Sequence, residues 1–223
     1  MIFPPLIFLL MLVLFFLALI LLPFLLLGMI GEAFIKLGLS PTLMFWLLIL
    51  TLVGSMVNIP IYTLRNPEVM GDQIISYFGM RVRIPRAQAQ QTVVGVNVGG
   101  AVLPVGLSLY LLTRMELGLY LPVLVGLIIL VANRLARPIK GVGIALPGFI
   151  PPLVAALGAY ILCPTPDLRA PSAYIASTLG ILIGADLLKL GAITQLGAPV
   201  ASIGGAGTFD AIFLGGIIAV LLS

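Results

Sequence analysis

The feature that most constrains this chain is the length of its uninterrupted apolar runs. Residues 1–29 contain no charged side chain, and about 20 consecutive apolar residues suffice for an α-helix to cross the hydrocarbon core of a bilayer. In hydrocarbon each backbone polar group must find its partner within the protein, so runs of this kind fold as helices. With 61% hydrophobic and only 8% charged residues, the sequence reads as all-α: a polytopic transmembrane helix bundle forming a single integral membrane domain over residues 1–223. The first stretch lacks the basic n-region of a signal peptide and is about twice the length of an h-region, so it is expected to be a retained span. There is no histidine, and Cys163 is the single cysteine. That excludes intramolecular disulfides, histidine zinc sites and imidazole catalysis. Neither a cofactor nor a metal is expected. The formal charge of +4 is attributed to loops on the cytoplasmic side and to membrane lipid as the partner, with no nucleic acid implied.

Hydropathy and breaker residues predict about seven spans, at residues 3–28, 42–63, 93–112, 117–133, 144–163, 172–190 and 199–222. Strict alternation then puts Arg65, Arg81, Arg83, Arg86, Arg134, Arg137, Lys140 and Lys189 on the side of the N-terminus. Lys36, Arg114 and Arg169 fall on the other. The positive-inside rule makes the richer side cytoplasmic. The expectation is a multi-pass protein of the cell membrane, with a cytoplasmic N-terminus and the C-terminus on the opposite face. Residues 64–92 form the one sizeable cytoplasmic loop. Within it, Met80-Arg81-Val82-Arg83-Ile84 alternates in hydropathy after a turn at Phe78-Gly79, which predicts a small β-hairpin. This loop reads either as a basic lip on lipid headgroups or as a gate near a substrate path.

Two spans are broken near their middles, "VNVGGAVLPVG" (96–106) and "GVGIALPGFIPPLV" (141–154). Such breaks are tolerated where the freed backbone faces protein or a water-filled cavity, and they also allow tight helix packing. "GAVLP" and "GIALP" hint at a short internal repeat. Asn58 and Asn97 are expected to be hydrogen-bonding ties between helices.

Of the seven acidic residues, only Asp186 and Asp210 fall inside apolar spans. An ionisable group at membrane depth costs on the order of 2.5–3.5 kcal/mol on translocon scales, so function is the default reading. Lys189, three residues after Asp186, offers the competing explanation of a simple ion pair. Whether the aspartates meet depends on depth. Asp186 lies about five residues, or roughly 7 Å, from the helix end near Gly191. A helix starting at Pro199 would bury Asp210 about 16 Å deep, out of reach. "SIGGAG" (202–207) is a poor helix former, however, so the last helix is expected to start near Thr208 with Asp210 in its first turn. The glycine segment then becomes non-helical backbone facing a cavity. Two carboxylates so placed share one proton: the ionised one activates water and the protonated one polarises a carbonyl. Asp186 and Asp210 are therefore the candidate catalytic pair. Gly204, Gly205, Ala206, Gly207 and Thr208 are the candidate substrate-binding backbone, able to hydrogen-bond an extended chain.

At these residues the sequence resembles the Gly-x-Gly-Asp intramembrane aspartyl proteases, the group of presenilin, signal peptide peptidase and the prepilin peptidases. The resemblance covers about 50 residues. It rests on the two aspartates in consecutive spans and on "FDAIFLGG" (209–216), although Thr208 and Phe209 stand between Gly205-Ala206-Gly207 and Asp210. It implies a presenilin-like arrangement of the last spans and cleavage, or binding, of transmembrane helical substrates. Over the whole chain, including "GEAFIKLGLSP" (31–41) and "GSMVNIPIY" (54–62), the sequence is similar to a prokaryotic membrane family described only as a domain of unknown function. Two other functions stay open. Broken spans with buried carboxylates also suit a proton- or cation-coupled transporter, and a protease-like fold can serve as a non-catalytic scaffold or chaperone.

Overall fold

A computed structural model describes residues 5–65, 73–77, 80–84, 91–139, 143–193, 200–205 and 210–223. The chain is mostly helical. Two helices are long and apolar enough to cross a membrane, Leu10–Lys36 and Pro166–Ala192; five further apolar helices are shorter. The first belongs to α1 (Pro5–Lys36), at about 48 Å longer than a hydrocarbon core. Next come α2 (Pro41–Gly54), α3 (Leu103–Leu112), α4 (Tyr120–Leu135) and α5 (Ile150–Leu162). The second long helix begins as a 3-10 turn at Pro166–Leu168 and continues as α6 (Arg169–Ile181). A π-helical turn, Leu182–Asp186, and a 3-10 turn, Leu187–Lys189, lead from it into α7 (Leu190–Ile193). The last helix is α8 (Gly215–Leu222).

Helix α6 is the central pole, packed by α3, α4, α5 and α8. Ten of its 13 residues are buried, mostly alanine, serine, threonine and glycine. Small side chains let backbones approach, the main route to helix association where lipid removes the hydrophobic drive. Gly180 shows the closeness: a Cβ there would lie 2.5 Å from Ile128 of α4. A second packed cluster, with Phe34, Leu107, Leu121, Tyr174 and Ile217, joins the end of α1 to α3, α4, α6 and α8.

Four expected spans are helical only in part. Residues 42–63 comprise α2 followed by strand β1 (Asn58–Arg65). Residues 93–112 begin in a strand within Gln91–Asn97, pass through a π-helical turn at Val98–Val102 and continue as α3. Residues 199–222 hold a strand at Val200–Ile203, a π-helical turn at Asp210–Leu214 and α8. The physical reason lies in the residues. "NIPIYTLR" and "QTVVGVN" are rich in β-branched side chains, and Pro60 and Gly95 oppose helix, so pairing wins over helix extension. The expected span 144–163 is likewise a helix only from Ile150.

In chain order the other strands are β2 (Gln73–Tyr77), β3 (Met80–Ile84), β4 (Gln91–Asn97), β5 (Arg137–Ile139), β6 (Gly143–Ala145) and β7 (Val200–Ile203). Strands β1, β4 and β7 form one sheet in that order. β1 and β4 are antiparallel, from Asn58 opposite Asn97 to Arg65 opposite Gln91, with a bulge between Pro60 and Tyr62 where proline has no donor to offer. β7 runs parallel to β4, from Val93 beside Val200 to Val96 beside Ile203. β2 pairs with β3, and β5 with β6, each antiparallel. The two "G-x-x-L-P" segments differ: Gly100–Pro104 turns from π- into α-helix, whereas Gly143–Ala145 is a strand. They form no structural repeat.

Candidate functional site

The backbone that follows β7 meets the second long helix at Asp186. This carboxylate is 3% exposed. It stands last in the π-helical turn Leu182–Asp186; such turns insert one extra residue per turn and recur at functional sites. Gly184 makes the turn fit, because a Cβ there would lie 2.5 Å from the carbonyl oxygen of Ile129. The Gly184 carbonyl accepts a hydrogen bond from Asn133 Nδ2 of α4 at 3.1 Å. That contact anchors the turn to α4. Nothing in the residue pattern around Asn133 marked it for this task beyond its being an amide near the end of an apolar helix.

The carboxylate of Asp186 faces the glycine segment. Gly204 N–H donates to Asp186 Oδ2 at 2.6 Å, a buried bond spanning 18 residues. Two constraints require glycine at position 204. Its φ is +70°, in the left-handed region. A Cβ there would also come within 2.7–2.8 Å of Gly100 and Ala101. The π-helical turn Val98–Val102 therefore packs directly on the segment that binds Asp186. Lys189, the competing partner for Asp186, sits on the following 3-10 turn, half-buried.

Polar side chains tie the strands together beside this point. Asn97 caps the turn at Val98–Val102, accepting from Gly100 N–H at 2.7 Å. Its Nδ2 donates to the Ser55 carbonyl at 2.7 Å and to Asn58 Oδ1 at 3.1 Å. Ser202 Oγ of β7 donates to the same Asn58 oxygen at 2.5 Å. Asn58 and Asn97 thus bond to each other, but across a strand pair rather than between two helices. Ser202 completes the network, a role its sequence context did not reveal.

The segment carrying Asp210 has that residue in its first described helical turn, as expected, but the turn is π-helical. Its helical part begins at Asp210 itself, as a π-helical turn that becomes α-helix at Gly215. This turn packs against α6 and against the turn at Val98–Val102. Gly204 and Gly205 are non-helical, with Gly205 N–H donating to the Ser202 carbonyl at 3.1 Å. Ala206, Gly207 and Thr208, and with them the expected N-cap, lie outside the described residues. Among the described residues no cluster of three or more metal-ligating side chains occurs.

No curated protein and no solved structure matches this sequence. A family model described as "Protein of unknown function (DUF1614)" matches residues 52–222, taking in every strand and both aspartates. The chain belongs to the DUF1614 family.

Proposed function

We propose that this protein is an intramembrane aspartyl protease-like protein, in which Asp186 and Asp210 form a dyad sharing one proton and act on transmembrane helical substrates. The observation that carries the reading is the bond from Gly204 N–H to Asp186 Oδ2. It brings the backbone that precedes Asp210 by six residues onto the first aspartate. In this reading the short apolar helices are also spans, arranged in a presenilin-like, multi-pass bundle with a cytoplasmic N-terminus, and the sheet β1-β4-β7 lies on the cytoplasmic side. Helices of 8 to 16 residues are short for a core of about 30 Å, and the largely buried strands β4 and β7 would supply missing depth for the segments that contain α3 and α8. The ionised carboxylate would take a proton from water as it attacks a peptide carbonyl. The protonated one would hydrogen-bond the carbonyl oxygen.

The test is cleavage of a single-span helical reporter by the full-length protein in proteoliposomes. Asp186→Asn and Asp210→Asn should each lower cleavage at least about a hundredfold, with unchanged thermal midpoints. Cleavage that survives either change would sink the proposal. A second reading, an ion- or proton-coupled transporter, is favoured by the three π-helical turns gathered near Asp186, since interrupted helices commonly form ion sites. It requires uptake that responds to an imposed pH or sodium gradient.

A further inference from the structure

The far end of α6, about 25 Å from Asp186 along the helix, carries a second constellation that the dyad does not use. Two adjoining cavities of about 580 and 450 Å³ share Lys36 and Asp167 as walls; Arg114 lines the larger and Arg169 the smaller, and all three basic residues are assigned by alternation to the non-cytoplasmic face. Lys36 is already engaged: its Nζ donates to the carbonyls of Val220, Leu221 and Ser223, tying α1 to the end of α8. Among the described residues neither guanidinium is so engaged. Arg114 lies over the ring of Tyr110, 5.2 Å from its centre, and Arg169 over Tyr160 at 4.2 Å. Stacking fixes the plane of a guanidinium and leaves its edge N–H groups to bind a planar or tetrahedral oxyanion. Arg169 Nε is buried with no hydrogen-bond partner among the described residues, and a buried donor in that state calls for an acceptor.

The cavities are not purely cationic. Asp167 lines both and Glu116 lines the larger, whose floor includes Leu37, Leu111 and Met115. Two free cations, two carboxylates and an apolar floor match a group with a phosphate, a nearby ammonium and attached hydrocarbon. Tyr110, Tyr120 and Tyr160 stand at this same end of α3, α4 and α5, the level where aromatic residues mark a membrane interface. We propose that this end binds a zwitterionic phospholipid headgroup, its phosphate on Arg114 and Arg169 and its ammonium on Glu116 and Asp167. The proposal rests on the multi-pass membrane reading and not on the dyad, so loss of one leaves the other standing.

Thermal unfolding of the full-length protein in detergent micelles tests it, with added short-chain phosphatidylethanolamine, short-chain phosphatidylglycerol or inorganic phosphate. Ligands that bind the folded state raise the midpoint by mass action. Phosphatidylethanolamine should raise it by several degrees and phosphatidylglycerol by less. Arg169→Gln should abolish the rise. Arg114→Gln, at an exposed position where unliganded stability should stay wild-type, should at least halve it. Asp167→Asn should remove the preference for phosphatidylethanolamine. A rise fully reproduced by inorganic phosphate would mean a free-anion site and overturn the lipid assignment. No rise, an equal rise with phosphatidylglycerol, or undiminished rises in both arginine variants would overturn the proposal as well.

Discussion

The two helices long enough to cross a membrane meet the same criterion and occupy opposite environments. α1 is built from leucine, phenylalanine, isoleucine and methionine, and from Leu10 to Met29 its described side chains stay exposed. The helix that contains α6 is less apolar, uses small and hydroxylated side chains, and is buried on nearly every face. In water the greasier helix would be expected inside. In lipid the bulky apolar surface is already at home, and the helix that goes to the centre is the one whose neighbours can come close. The carboxylate lies on that central helix, where a glycine amide, an asparagine-anchored turn and buried backbone can support a charge that hydrocarbon would not.

The contrast is open to attack by substitution, and the largest effect is expected where the π-helical turn before Asp186 meets the backbone of α4. Gly184→Ala would drive a methyl against the Ile129 carbonyl, which is backbone and cannot swing away. A loss of about 2–3 kcal/mol is expected, seen as a lowered thermal midpoint in detergent and a loss of any Asp186-dependent activity. A smaller cost, about 1–2 kcal/mol, should follow Asn133→Ala, which leaves the Gly184 carbonyl of the π-helical turn without its side-chain donor. Smallest of all is Leu22→Ala on α1, exposed at 56%, which should change the midpoint by no more than about 0.5 kcal/mol equivalent. If Leu22→Ala proved as damaging as Gly184→Ala, α1 would have to be packed against protein and the contrast would fail.

Much of this was written plainly in the residues. Runs such as "LIFLLMLVLFFLALILL" specify a helix by length and apolarity alone, and the two aspartates announce themselves because no other carboxylate lies in their runs. That Gly204 and Gly205 are non-helical was also legible, since glycine-rich "SIGGAG" offers a helix little support. What escaped was non-local. In "NIPIYTLR", "QTVVGVN" and "PVASI" the apolar content is equally compatible with a helix end, and only pairing with strands tens of residues away decides for β. The π-helical turns escaped for a related reason. An extra residue per turn leaves no compositional mark, and the one before Asp186 depends on Ile129 and Asn133 of another helix.

The central claim is that Asp186 and Asp210 share one site, and it can be tested without knowing a substrate. In a Cys163→Ser background, Asp186→Cys and Asp210→Cys would be combined and treated in intact membranes with a bifunctional thiol reagent of about 5 Å span. Asn58→Cys with Ser202→Cys serves as the positive control, because those side chains touch. The account predicts that both pairs cross-link, at comparable rates. Efficient cross-linking of the control with none between positions 186 and 210 would contradict it.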